Sequence, residues 1–66
     1  MEKETVKRIV DIAGFAGGIM LENGAETYRV EDIINRICKS KGITDIHNFT
    51  VPTGIFIACN HEGENY

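Results

Sequence analysis

Apolar side chains recur along the first third of the chain with the period of a helix. Val6, Ile9, Val10, Ala13, Ala16, Gly17 and Met20 keep the i, i+3, i+4, i+7 spacing, which predicts an amphipathic helix over residues 4–22. Ile12, Phe15 and Ile19 widen the stripe, so this helix is apolar on more than one side and should take neighbours on both flanks. Gly14, Gly17 and Gly18 stand in its interior, where each costs about 1 kcal/mol against alanine. Close approach of another backbone is the expected compensation. Gly14 and Gly18 show the small-xxx-small spacing that permits it.

Asn23-Gly24 should stop this helix, with Gly24 in the left-handed position that a side chain disfavours. Val30, Ile33, Ile34, Ile37 and Cys38 then predict a second helix over residues 26–41. Asp32 with Arg36 and Glu26 with Arg29 are spaced for pairing along it. Acids are expected in its early turns and Lys39 and Lys41 in its last, as the helix dipole favours. Gly42 ends it, so the first two elements read as an αα-hairpin with a short loop.

From Asp45 the period shortens. Over residues 45–51, His47, Phe49 and Val51 alternate with Ile46, Asn48 and Thr50, the pattern of a strand. Pro52 suits the first corner of a turn, and Gly54 is expected in the left-handed bulge position of a three-residue loop. A second strand over residues 55–60 is apolar on both faces, which predicts a central strand covered on both sides. The tail from Asn60 to Tyr66 is polar and turn-like. The fold class is therefore α+β, an αα-hairpin followed by a β-hairpin. Two strands alone are marginal. The sheet is expected to be completed by a partner chain or by further C-terminal sequence.

Sixty-six residues make one domain. A chain this short buries only about 60% of its unfolded surface, and chains of its size usually need a disulfide, a metal or a partner. Its net charge of −3 excludes a generally basic nucleic-acid footprint. The two cysteines, Cys38 and Cys59, come without a secretory signal and read as free thiols in a reducing compartment. The longest apolar run, residues 12–21, is too short to span a membrane.

The stretches GAETYRVED (residues 24–32) and PTGIF (residues 52–56) carry a resemblance. The chain resembles the N-terminal domain of the threonine/serine exporter family of membrane proteins, from about Ile9 to Ala58. It departs from the family at Val51, where a threonine commonly precedes the proline. The resemblance implies a fragment of a longer chain, a truncated gene product or a free-standing relative. The fragment is favoured, residues 1–66 then being an N-terminal domain with further strands and a multi-helix membrane region beyond it. The full-length protein is then expected in the cell membrane, with this segment soluble and cytoplasmic. The implied role is export of small hydroxylated amino acids, threonine and serine. The family's amino-terminal region is also described as hydrolase-like, so enzymatic activity stays open.

The residues suggest a site at the turn between the helices. Glu22 ends one helix, where a negative charge opposes the dipole, and Glu26 begins the next, where it is favourable. These carboxylates suit an ammonium group, and Arg29 suits a carboxylate as a bidentate clamp. An amino acid presents both. The bland alternative is a solvated turn with Arg29 as a surface ion-pair partner. Thr27 and Tyr28 either supply hydroxyls or serve as a helix cap and a packing ring, and Thr53 would face Glu26 if the strand turn folds over the helical one. Cys38 and Cys59 are expected in the core, and His47 and His61 carry no metal-ligand spacing. No catalytic residue, cofactor, metal or nucleic acid is expected. The partners are a small amino acid, and either further copies of the chain or the membrane region. A stand-alone oligomeric binding or assembly module is the alternative function.

Overall fold

The computed structural model describes residues 2–61 and 63–65. Helix α1 (Lys3–Glu22) and helix α2 (Thr27–Ser40) precede strands β1 (Asp45–Val51), β2 (Gly54–His61) and β3 (Glu64–Asn65). Both helices end in the same way. Gly24, at φ 86°, lets the Ala25 N–H return to the Met20 carbonyl and its own N–H to that of Leu21. Gly42, at φ 89°, does so for Ile43 with Cys38 and for itself with Lys39. These paired bonds satisfy carbonyls that a helix end leaves open, and they seat Ile43 in the core.

The N-terminus of α2 differs from expectation. Glu26 is the capping residue, without a side-chain capping bond, and Thr27 is already helical. No acid stands in the first turn; Glu31 and Asp32 come one turn later. Asp32 and Arg36 are paired at 2.9 Å, whereas no ion pair among the described residues joins Glu26 to Arg29.

The helices lie on one face of an antiparallel sheet of order β1-β2-β3, with α1 against α2 and β2, and α2 against β1. Val6, Ala13, Val30, Ile34, Cys38, Ile43 and Cys59 are the buried core between them. The helices pack tightly at Gly17, where a Cβ would lie 2.9 Å from Ile34 Cδ1 and 3.1 Å from Val30 Cγ1. The spaced pair Gly14 and Gly18 does not mark that approach. A Cβ at Gly14 would make ordinary contact with Ile57, and one at Gly18 would meet open space.

Val51 pairs with Gly54, so the turn between β1 and β2 has two residues, Pro52 and Thr53. Gly54 is not left-handed; the pairing absorbs it into β2 and removes the expected bulge. β2 is central, but only one of its faces is covered. Ile55, Ile57 and Cys59 turn towards the helices, and Phe56 is 63% exposed beside Phe49 at 60%, their ring centroids 6.4 Å apart. After Gly63, at φ 84°, the chain turns back into β3, where a turn-like tail was expected. Glu62 and Tyr66 of that tail lie outside the described residues.

Candidate functional site

The two turns at one end of the molecule meet across a groove of about 310 Å³. Gly18, Leu21 and Glu22 from the last turns of α1 form one wall, and Pro52, Thr53, Gly54 and Ile55 form the other. Each wall follows from local chemistry. The Gly24 turn ends α1 at Glu22, and Pro52 fixes the backbone of a two-residue strand turn, leaving Thr53 exposed at its tip. Gly18 lacks the side chain that would narrow the gap.

The electrostatics of this groove are one-sided. A helix C-terminus carries about half a negative charge. The last turn of α1 holds Glu22 and no basic residue to offset it. Glu26, exposed at the next helix's N-cap, adds a second carboxylate at this end of the molecule. No ion pair among the described residues uses either one. The arrangement favours a small cation, and Thr53 offers a hydroxyl beside it.

The expected site residues are thus divided. Glu22 and Thr53 share the groove, and Thr53 stands opposite Glu22 rather than Glu26. Arg29 opens on another groove, of about 360 Å³, with Met20, Asp32, Ile33 and Arg36. Tyr28 is 59% exposed, and Thr27 is half-buried in the first turn of α2.

A polar cluster that the sequence did not reveal lies between α2 and β1. The Thr50 backbone N–H donates to Glu31 Oε2 at 2.9 Å, and Asn48 Nδ2 donates to Asn35 Oδ1 at 2.7 Å and to the Glu31 carbonyl at 3.3 Å. Glu31 and Asn35, one turn apart on α2, were the only available signal.

Nucleophilic chemistry finds little to work with. Burial pushes the Cys38 thiol up, with the nearby Cys59 adding to it, and burial followed by Asp45 pushes Cys59 up. Ser40 Oγ donates to the Ile37 carbonyl at 2.8 Å. No group of three His, Cys, Asp or Glu side chains placed to hold a metal occurs among the described residues.

Residues 11–66 match the model of the ThrE family, described as "Putative threonine/serine exporter", and the chain belongs to that family. No curated protein and no solved structure matches it significantly. The family implies a membrane protein with threonine or serine as cargo. No helix among the described residues is long and apolar enough to cross a membrane.

Proposed function

We propose that this member of the threonine/serine exporter family is the N-terminal domain of the exporter, and that its end groove receives the amino acid before transport. One observation carries the reading. The last turn of α1, with Glu22 and no basic residue, faces Thr53 across a groove of about 310 Å³, a size suited to a small ligand. The ammonium group of threonine or serine binds Glu22, with Glu26 adding attraction at the same end. Thr53 hydrogen-bonds the cargo's own hydroxyl. Thr27 and Tyr28, in the first turn of α2, do not line the groove and make no contact in this reading. Arg29 draws the cargo carboxylate from the neighbouring groove as a second point of attraction. The segment stands on the cytoplasmic side, where export begins and where free thiols such as Cys38 and Cys59 persist.

The test is threonine efflux by the full-length exporter carrying Glu22→Gln or Glu26→Gln. Efflux should fall at least about tenfold for Glu22→Gln at unchanged protein abundance, the effect of losing a charge-assisted bond. Unaltered efflux from both variants overturns the reading. A threonine titration of this chain followed by NMR should shift the Glu22 and Thr53 resonances first. Shifts confined to α2 would place the site elsewhere.

A further inference from the structure

The outward face of α1 is a second apolar seam, separate from the core. Arg8, Ile12, Phe15, Ile19 and Glu22 follow one another at spacings of 4, 3, 4 and 3 residues. That alternation keeps side chains in one line along a helix and is the spacing of a coiled-coil seam. Its three apolar residues point away from the core, and Glu22 at its end borders the groove. Phe15 lies two residues before the buried Gly17, hence about 160° around the helix from the face that packs on Ile34 and Val30. Ile12 is 62% exposed, Phe15 72% and Ile19 47%. Three large apolar residues in line on a surface helix call for a cover.

The charges at its ends say which cover. Arg8 and Glu22 lie seven residues either side of Phe15, and no ion pair among the described residues uses them. We propose that a second copy of this chain packs its α1 antiparallel on this seam about a two-fold axis near Phe15. Phe15 then meets its symmetry mate, and Ile12 lies beside Ile19 of the other copy. Arg8 of each copy reaches Glu22 of the other. A parallel pair would set Arg8 on Arg8 and Glu22 on Glu22, so the charge order selects the antiparallel one. The surface is self-complementary, as a two-fold interface requires. Three apolar residues fall short of the roughly 800 Å² per partner of a standard interface, so the dimer is reversible, with dissociation in the micromolar range.

Sedimentation equilibrium of this chain across a dilution series tests the inference, with circular dichroism to show that each variant is folded. The parent should pass from dimer to monomer. Phe15→Glu, at an exposed position, should be monomeric throughout. Arg8→Glu should weaken the dimer at least about fivefold, because two symmetric attractions become repulsions. Adding Glu22→Arg to Arg8→Glu should restore the parent's affinity. A parent that stays monomeric at every concentration overturns the proposal and leaves the seam to another partner. A dimer indifferent to Arg8→Glu overturns the antiparallel arrangement. The seam shares Glu22 with the groove, so the two readings are separated on the monomer. Phe15→Glu, at a position outside the groove, should still bind threonine at Glu22, and loss of that binding would count against the groove and not the dimer.

Discussion

A methyl group added at Gly17 would sit 2.9 Å from Ile34 Cδ1, whereas one added at Gly18 would meet nothing within 4 Å. Both positions are helical, so alanine gains about 1 kcal/mol of intrinsic preference at each. At Gly17 that gain is opposed by an overpacking cost of about 1–3 kcal/mol, because the two nearest side chains are core residues with little room to retreat. Gly17→Ala should therefore destabilise the chain by about 1 kcal/mol, and Gly18→Ala should stabilise it by about 0.5–1 kcal/mol. Urea midpoints that move in the same direction for both would refute this account of the helix contact. Glu22 poses a different conflict. Its charge opposes the α1 dipole, so Glu22→Gln should raise stability by a few tenths of a kcal/mol while removing the cation preference of the groove. A loss of stability in that variant would mean that Glu22 holds the turn together, not a ligand.

At the scale of elements, the clasp between α2 and β1 joins what hydrophobic contact alone would leave free to slide. Glu31 takes the Thr50 N–H, which therefore points away from β2. Its cross-strand partner Ile55 must then point its own N–H away from β1, and Ile57 and Cys59 follow at the two-residue period. Among the described residues, β3 pairs with Asn60 and His61. Amide exchange should accordingly alternate along β2, slow at Phe56 and Ala58 and fast at Ile55 and Ile57, although the strand is central. Uniform protection from Gly54 to Cys59 would show that something covers that edge. Glu31→Ala should cost about 1 kcal/mol, since it removes a part-buried hydrogen bond, and should speed exchange at Thr50 itself. The α+β order was legible because period and glycine punctuation are local properties, as at Gly24 and Gly42. The clasp was not, because its partners are 13 to 19 residues apart and only the fold brings them together. The division of the site was hidden for the opposite reason. Glu22 and Arg29 are near in sequence, yet the turn at Gly24 sends them to different grooves. Thr53, far away in sequence, joins Glu22 through the return of the sheet.

For the whole molecule, the thiols make stability depend on pH. A chain of this size has only a few kcal/mol in hand, so a small linkage term is visible. Cys38 and Cys59 are both buried, and both have folded pKa values raised above the ordinary thiol value, desolvation being the larger cause in each. In the unfolded chain the thiols titrate at about 8.5. Below that pH both states hold these protons, and the cysteines contribute no slope. Above it the unfolded chain releases protons that the folded chain keeps, so stability falls as pH rises through the alkaline range. The urea midpoint should be flat from neutrality to about pH 8 and should decline from there to about pH 10. Replacing both cysteines by alanine should flatten that decline, even though the smaller side chains lower the midpoint at every pH. A decline that persists unchanged without the thiols would assign the slope to other groups. A thiol reagent provides the independent check, because only the thiolate reacts and both sulfurs are shielded. Modification of Cys38 and Cys59 should proceed together and accelerate with urea in step with unfolding. Reaction at one of them, under conditions where circular dichroism reports the native fold, would reveal a local opening of the core instead.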